Sequence, residues 1–171
     1  MRAIACVDEA WGIGQKGGML FDLPGDLRYF ARMTRGKTLV MGRKTLNSLP
    51  GGRPLGERTN IVLSRDPGFL APGAVVARSL EELDALIAPL PPEDVMVIGG
   101  QAIYELLIDR CEAAYITRVR ARAPADRFFP NLDLRPGWRL LGCGPRQEEN
   151  GLGYAFCEYV QGGETAGLPG F

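Results

Sequence analysis

Short apolar segments alternate with helical patterns along most of the chain, and this alternation limits the possible folds more than any other feature. Eight segments have the composition and length of strands: 2–7, 38–42, 59–64, 74–77, 94–99, 113–119, 138–142 and 154–160. Helical spacing of apolar residues occupies 24–34, roughly 44–49, 79–90 and 101–108. Because helices separate the early strands, we expect parallel pairing through crossovers. The last three strands have no helix between them, which predicts an antiparallel end to a mostly parallel α/β sheet.

The length and charge of the chain favour one globular domain. Its 171 residues are enough for a full hydrophobic core, and Lys plus Arg balances Asp plus Glu at 20 each, which argues against nucleic acid as the main partner. We expect no membrane partner, since no apolar run approaches the ~20 residues of a spanning helix and the N-terminus has no signal-peptide shape. The domain is expected to cover 1–160, and the Gly-rich segment 161–171 to form a disordered or loosely docked tail.

The chain contains no histidine. This excludes Ser-His-Asp and Cys-His triads and zinc sites that use histidine, so proton chemistry has to use carboxylates, Tyr, Lys, Cys or water. The four cysteines, Cys6, Cys111, Cys143 and Cys157, are far apart in sequence and form no Cys-x-x-Cys pair. We therefore expect neither a metal site nor a disulfide framework, and a reducing cytoplasm as the setting.

The segment "MLFDLPGDLRYFARMT" (19–34) places a carboxylate, Asp26, at the border of an apolar helix face. Asp22 is the expected N-cap, and Pro24 lies in the first turn, where its missing N–H has no cost. Asp26 and Phe30 are four residues apart and share a helix face. A bare carboxylate is costly to bury. Two interpretations stay open from this helix alone: a charge that favours a helix N-terminus, or a carboxylate retained for function.

Three junctions at predicted strand ends combine glycine with polar or basic residues. They are "LVMGRKTLNSL" (39–49), "VMVIGGQAIYELL" (95–107) and "IVLSRDPG" (61–68). Glycine lets backbone approach a ligand closely, helix N-termini offer free N–H groups to an anion, and ligands of open α/β sheets bind outside the carboxyl ends of strands. Residues 43–65 hold five basic side chains and one acidic side chain. Together these junctions predict a site for a phosphorylated cofactor, although the ordinary G-x-G-x-x-G fingerprint is absent.

Two further segments are weaker indicators of function. The Gly-rich segment "EAWGIGQKGGML" (9–20) predicts a loop that can close over a ligand, with a simple long connection as the alternative. Arg118, Arg120 and Arg122 alternate with smaller residues. We expect them on the solvated face of a strand, with a basic binding stripe as the alternative.

The motif order "GIG…ML…LPGDLRYF…VMGRKT…RPLGERTNIVLSR…VMVIGGQAIY…YITRV…ADRFFP", from residue 2 to about residue 160, resembles the dihydrofolate reductase family. The resemblance implies one α/β domain with a central eight-stranded, mostly parallel sheet that ends in an antiparallel C-terminal hairpin, flanked by about four helices. It also implies NADPH-dependent reduction of 7,8-dihydrofolate to tetrahydrofolate, inhibition by antifolates, a monomer and a cytoplasmic location.

The resemblance assigns substrate-side roles by motif. Asp26 would bind the pteridine and, with water, manage protonation at N5, and Thr117 would support Asp26 or the pteridine amino group. Arg58 would pair with the α-carboxylate of the substrate's glutamate. Met19 and its loop would cover the nicotinamide, and Phe21 stands where the family usually has a Trp that helps to hold an active-site water. The expected pocket lining consists of Ile4, Cys6, Leu27, Phe30, Leu49, Leu55, Ile98, Tyr104 and Thr117.

On the cofactor side, Arg43, Ser64 and Arg65 would hold the 2′-phosphate, and residues 99–103 the pyrophosphate, with a cis bond expected between the two glycines. The full expected set is Cys6, Ile13, Gly14, Met19, Gly42, Arg43, Lys44, Thr45, Leu63, Ser64, Arg65, Arg78, Gly99, Gly100, Gln101, Ala102, Ile103 and Tyr104. Besides Phe21, the chain departs from the family pattern with Leu20 where Pro is common, Cys6 where Ala is common and Ala102 where some bacterial members carry Arg.

Two alternatives stay open from the sequence. A pyrimidine reductase of riboflavin synthesis has the same fold and cofactor, but it lacks the helix with Asp26. The other alternative is a non-catalytic nucleotide-binding protein of the same fold, which NADPH oxidation dependent on dihydrofolate would exclude.

Overall fold

Strands and helices alternate through the first two thirds of the chain, as the sequence pattern predicts. The computed structural model describes residues 1–162. Its strands are β1 (Arg2–Val7), β2 (Gly12–Gln15), β3 (Gly18–Met19), β4 (Thr38–Gly42), β5 (Thr59–Leu63), β6 (Val75–Ala77), β7 (Val95–Gly99), β8 (Ala113–Val119), β9 (Arg127–Phe128), β10 (Trp138–Cys143), β11 (Gln147–Glu149) and β12 (Leu152–Gln161). Its helices are α1 (Pro24–Thr34), α2 (Arg43–Ser48), α3 (Leu80–Ile87) and α4 (Gln101–Leu107), with short 3₁₀ segments at Pro50–Gly52, Pro92–Asp94 and Ile108–Arg110.

The main sheet confirms the predicted fold class. Its strand order is β10-β12-β8-β1-β7-β4-β5-β6, and β11 pairs with β12 outside this path. All pairs from β8 through β6 are parallel, whereas β12 is antiparallel to β8 and β10. The central strands β4 and β7 are buried almost throughout, as expected where helices cover both faces of a parallel sheet.

A second, three-stranded sheet of order β3-β2-β9 was not predicted from the sequence. It shows that segment 9–20 is not a plain loop, because this segment contains β2 and β3. These strands have only two to four residues and are rich in glycine, and β2 pairs with β9, which lies far along the chain. Such short strands carry no apolar alternation, so their pairing is invisible to periodicity.

Helix α1 has the predicted bounds, but the expectation that Asp22 caps it is wrong. The N-cap is Leu23, whose side chain is buried, and no side chain of the cap accepts a hydrogen bond. Instead the Gly25 N–H donates to Glu149 Oε1 at 2.8 Å. A Cβ on Gly25 would lie 2.3 Å from Tyr154 Oη, so glycine is required where α1 begins against the last strands. The helix N-terminus is therefore satisfied by a carboxylate from β11.

The expectation that the chain has no disulfide is also wrong. Cys143 and Cys157 are directly opposite each other on β10 and β12, their Cα atoms are 4.0 Å apart, and their sulfurs are bonded. The two cysteines are 14 positions apart in sequence, and the segment between them contains β11, which pairs with β12; β12 then runs antiparallel beside β10. Cysteine spacing does not reveal that return, because the register is set by the sheet. Cys6 and Cys111 are free.

Arg118 is only partly exposed, because its guanidinium takes part in an ion pair at the protein surface. Its Nη1 donates to Asp133 Oδ2 at 2.8 Å and to Tyr159 Oη at 2.7 Å, and its guanidinium lies 5.0 Å from the Trp11 ring centroid. Arg120 and Arg122 are exposed, as expected. Of the three alternating arginines, Arg118 therefore forms an ion pair with Asp133, whereas the other two are exposed.

The C-terminal boundary of the domain shifts slightly. Gln161, placed in the tail by the sequence analysis, is the last residue of β12, and the rest of the expected tail beyond Gly162 lies outside the described residues. Within residues 1–162, no helix is both long enough and apolar enough to cross a membrane.

Replacement of Glu149 should destabilise the protein through the start of α1. Glu149→Ala leaves the Gly25 N–H without its acceptor, and we expect a loss of about 1 kcal/mol in the free energy of unfolding, measured by urea denaturation. Glu149→Gln keeps an acceptor and should lose less. Glu148→Ala, an exposed neighbour on β11, is the matched control. Equal losses for Glu149→Ala and Glu148→Ala would contradict this role.

Candidate active site

The site is built at one edge of the main sheet. Because β8, β1, β7, β4, β5 and β6 run parallel, their carboxyl ends meet along this edge. On β1 and β8, Cys6 lies directly opposite Thr117. Helix α1 directly follows β2 and β3 in the chain and brings Asp26 to Thr117.

A short hydrogen bond fixes the carboxylate of Asp26 to the sheet. Thr117 Oγ1 donates to Asp26 Oδ1 at 2.6 Å, and Thr117 is only 1% exposed. The structure thus brings together the carboxylate and the hydroxyl that the sequence analysis placed at one site. The bond satisfies one oxygen of a carboxylate that the apolar helix face would otherwise leave bare.

Burial raises the pKa of Asp26 above its ordinary value, and hydrogen bonds from Thr117 and Cys6 lower it in part. Burial is also the main cause of the raised pKa of Tyr29 on α1, Tyr104 on α4 and Tyr154 on β12, and the charge on Asp26 adds to it. For the Cys6 thiol, burial comes first and Asp26 second in raising the pKa. Among residues 1–162, no basic side chain contributes to the pKa of Asp26. This carboxyl group can therefore hold a proton at a higher pH than a free aspartate.

Five of the apolar residues expected in the pocket share one hydrophobic cluster. They are Ile4, Phe30, Leu49, Leu55 and Ile98. Ile4 and Ile98 are buried on adjacent strands, and the other three are partly buried against them.

Two other expected pocket residues, Leu27 and Cys6, lie outside that cluster, as does Phe21. Leu27, on α1 next to Asp26, is 44% exposed. Cys6 and Phe21 pack against a separate cluster that includes Leu23 and Tyr154. The expected lining therefore divides between two clusters and one exposed leucine.

The strand-to-helix junctions of β4 and β7 meet at the same edge. A Cβ on Gly42 would lie 3.0 Å from Ile103 Cγ1, and a Cβ on Gly100 would lie 3.4 Å from Thr45 Oγ1. The peptide bond between Gly99 and Gly100 is cis, as expected. A Cβ would be crowded at Gly42 and in ordinary contact at Gly100, so the backbone of the two junctions lies close to the neighbouring helices and lines one surface.

Tyr104 is buried, and its hydroxyl is directed to the protein backbone. Its Oη donates to the Ile4 carbonyl at 2.6 Å, and its ring would lie 2.9 Å from a Cβ on Gly99. Gly99 has φ +115°, which only glycine adopts readily. Tyr104 therefore holds the junction in place, and its hydroxyl is already paired.

The basic residues expected near a phosphate lie around one acidic residue. The guanidinium of Arg43 lies 4.5 Å from the Phe69 ring centroid and pairs with Asp66 at 3.3 Å. Arg78 donates to the carbonyls of Asp66 and Phe69. Asp66 falls one residue beyond the segment 43–65 in which charges were counted, so the local positive excess is smaller than the sequence analysis assumed. Arg65 and Lys44 are exposed on the same rim.

Arg58 is anchored by three hydrogen bonds. Its Nε donates to Thr34 Oγ1 at 3.2 Å, its Nη2 to the Ala31 carbonyl at 3.2 Å and its Nη1 to the Gly56 carbonyl at 2.8 Å. A guanidinium has five N–H donors. One N–H on each terminal nitrogen remains after these contacts, which is the arrangement that can bind a carboxylate through two parallel bonds.

Asp8 is a functional candidate that sequence reasoning missed. It is 1% exposed, and its carboxylate accepts from the backbone N–H groups of Ala10 at 2.9 Å, Gly12 at 2.7 Å and Ala123 at 3.0 Å. It ties the segment that contains β2 and β3 to the loop before β9. Asp126 reinforces this link by accepting from Lys16 N. An Asp directly after a buried strand was the available signal.

Known proteins match both the sequence and the fold. The family model described as "Dihydrofolate reductase" matches residues 1–161. The type 3 dihydrofolate reductase of Salmonella typhimurium is 38% identical over 148 residues, covering 86% of this chain and 88% of the relative. The dihydrofolate reductase of Bacillus subtilis (strain 168) is 36% identical over 149 residues, covering 86% of each. A solved structure of dihydrofolate reductase from Enterococcus faecalis, complexed with NADP(H) and RAB-propyl, has a TM-score of 0.79 and 34% identity, covering 94% of this chain and 95% of that chain.

Asp26→Asn should raise the free energy of unfolding near neutral pH. Burial raises the pKa of Asp26 in the folded state, so the stability tied to its protonated form is full below the unfolded pKa of ~3.9 and is lost as pH rises through the folded pKa. The neutral amide avoids this loss, and its oxygen can still accept from Thr117. Urea denaturation over a pH series should show a gain that shrinks towards acidic pH. Asp22→Asn, exposed on the same segment, is the control. A gain that does not vary with pH would contradict this account.

Proposed function

Because the chain belongs to the dihydrofolate reductase family, we propose that its reaction takes place at the Asp26 site described above. That reaction is the NADPH-dependent reduction of 7,8-dihydrofolate to 5,6,7,8-tetrahydrofolate. The observation that carries the proposal is the partly buried Asp26–Thr117 pair, whose carboxyl group holds a proton more readily than a free aspartate. Dihydrofolate-dependent oxidation of NADPH is the experiment that tests it, and a purified protein without this activity would exclude it.

Asp26 binds the pteridine and manages its proton. The amino group and ring N3 of the pteridine supply donors for the carboxylate oxygens, which compensates the cost of holding Asp26 at an apolar wall. Since the chain has no histidine, the proton that reaches N5 comes through Asp26 and water. Thr117 holds Oδ1 and leaves the other oxygen for the substrate. The side chain of Phe21 has no N–H donor. In this chain it therefore shapes the space beside the reacting atoms without holding a water by a hydrogen bond.

The apolar cluster and Arg58 orient the rest of the substrate. Ile4, Phe30 and Ile98 support a flat ring, and Leu49 and Leu55 extend the same wall towards Arg58. The two N–H groups that Arg58 keeps free are suited to the α-carboxylate of the glutamate. Leu27 is already exposed beside Asp26 and would lose its contact with water when the ring binds.

The residues at the β4, β5 and β7 ends fit a phosphorylated dinucleotide. Backbone from Gly99 to Ile103 forms a surface that no side chain obstructs, suited to a pyrophosphate, and Arg43, Ser64 and Arg65 lie at the rim, where a 2′-phosphate would bind. When bound, NADPH supplies the hydride that passes to C6 of the pterin. The protein's part is alignment, and Met19, which is 68% exposed, would close over the nicotinamide with its segment.

The remaining assignments stay proposals of the same kind. The antifolate binding, the monomeric state and the cytoplasmic location follow from the resemblance. The pyrimidine reductase alternative is disfavoured because the family to which the chain belongs is a different one, and because that reductase lacks the helix with Asp26.

Asp26→Asn should lower turnover of dihydrofolate by roughly 10²–10⁴-fold near neutral pH, the range that general acid catalysis contributes. In the wild type, single-turnover hydride transfer should fall as pH rises through one apparent pKa, because the protonated complex supplies the proton for N5. The variant should do relatively better at low pH, where solvent protonates the substrate, and its NADPH affinity should be unchanged. A variant with the wild-type rate at neutral pH would show that Asp26 is only a charge at a helix end.

Arg65→Ala should weaken NADPH binding much more than NADH binding. A charge-assisted contact contributes ~1.5–3 kcal/mol, so the wild type should prefer NADPH by at least about tenfold, and the variant should lose most of this preference. Fluorescence titration with both cofactors measures it. Arg53→Ala, another exposed arginine of the same basic segment, is the matched control. Equal losses for both cofactors would contradict the placement of Arg65 at the 2′-phosphate.

A further inference from the structure

The disulfide lies at an unusual place in the sheet. Cys143 is the last residue of the edge strand β10, and Cys157 is on β12, which lies between β10 and β8. The two sulfurs have different surroundings, because Cys143 is exposed whereas Cys157 is only 3% exposed. An external thiol can therefore reach one sulfur of this disulfide and not the other.

The sequence around Cys143 keeps that sulfur open. Gly142 and Gly144 flank it, and a Cβ on Gly142 would meet nothing within 4 Å. The register of β10 against β12 is already irregular between Leu140 and Gly142. The end of the strand that carries the reactive sulfur thus has little side-chain packing of its own to hold it in place.

Residue Phe156, next to Cys157, connects the disulfide to the Asp26 helix. Phe156 lies directly opposite Thr117 in the β12–β8 register, and its ring stacks on Tyr29 of α1 with centroids 4.0 Å apart. A surface cavity of about 340 Å³ separates these aromatic rings from the strand end, and both Cys143 and Cys157 line it. The disulfide holds the far wall of a cavity whose near wall is the helix with the catalytic carboxylate.

We propose that Cys143 and Cys157 form a reversible thiol–disulfide couple that is entered at Cys143 and that changes substrate binding through Phe156 and Tyr29. A thiolate of a dithiol reductant attacks Cys143 Sγ. The Cys143–Cys157 bond breaks, a mixed disulfide forms at Cys143, and Cys157 leaves as a thiolate that takes up a proton. The second thiol of the reductant then attacks the mixed disulfide and releases Cys143, so the protein disulfide is reduced by two electrons and the dithiol is oxidised to its disulfide.

The sheet order indicates which ligand should respond to reduction of the disulfide. The couple lies on the β8–β12–β10 side of β1, with Thr117 and α1, whereas the junctions assigned to NADPH lie on the β7–β4–β5 side. This part of the inference rests on the proposed function. Reduction should change the KM for dihydrofolate by about two- to tenfold, the range that one aromatic packing contact supplies, and leave the KM for NADPH unchanged.

Thiol counting tests the couple without any reference to activity. Protein equilibrated with glutathione disulfide, then unfolded in guanidinium with iodoacetamide, should carry two adducts by intact mass, on Cys6 and Cys111. After treatment of the native protein with dithiothreitol it should carry four, and Cys143→Ser should carry three under both conditions. Four adducts after oxidation, or two after native reduction, would overturn the proposal.

Kinetics test the coupling. The KM for dihydrofolate should differ between the oxidised and reduced wild type and between the two states of Cys111→Ala, a buried control that keeps the couple. Cys143→Ser, altered at an exposed position, should show one KM under both conditions. A KM that is unaffected by the redox state in the wild type, or that shifts equally in Cys143→Ser, would overturn it. Absence of dihydrofolate-dependent turnover would instead contradict the proposed function, and the thiol counts would still decide whether the couple exists.

Discussion

The hydrogen bond from Thr117 to Asp26 is the contact on which the rest of the site depends. It joins the first helix to the central sheet at a point where a carboxylate enters an apolar environment. Without a donor, burial would favour expulsion of Asp26 or its permanent protonation, and with too many donors the group would ionise fully and lose its use as an acid. The hydroxyl of Thr117 and the thiol of Cys6 lower the pKa of Asp26 in part, so that it stays raised by burial but the group can still ionise. The arrangement costs stability at neutral pH, which is the usual relation between a folded scaffold and a reactive group placed inside it.

Much of the fold could be predicted because the buried parallel strands are continuous apolar runs in the sequence. β1, β4, β8 and α1 have the expected bounds, since long apolar runs and helical periodicity report burial directly. The elements that sequence reasoning missed are short and depend on distant partners. β2 and β9 are recognisable only as a pair. β11 matters because it brings Glu149 to α1, and the antiparallel pairing of β12 with β10 is what places Cys157 opposite Cys143.

The same division applies to the site. The apolar wall, the cis bond at Gly99 and the approach of Thr117 to Asp26 were expected from the resemblance to the family, whose motifs this chain carries in order. The contacts of Asp8 and Asp66 were missed because, although Asp8 directly follows a buried strand, the partners of both carboxylates are backbone groups or arginines that only the fold brings near. The ion pair of Arg118 was missed for the same reason, since its partner, Asp133, lies 15 positions later in a turn.

The start of α1 also bears on how the protein is made. Gly25 N–H is satisfied by Glu149, 124 positions later in the chain, and Asp26 by Thr117, 91 positions later. During synthesis the ribosome therefore releases the reactive carboxylate early and its surroundings late, because β12 and the acceptor on β11 are among the last described segments to emerge. A nascent chain that ends before these strands holds most of the parallel sheet but an unfinished helix start. Such a chain already contains Asp26 and its donor Thr117, but it lacks the carboxylate that completes the start of the helix on which Asp26 lies.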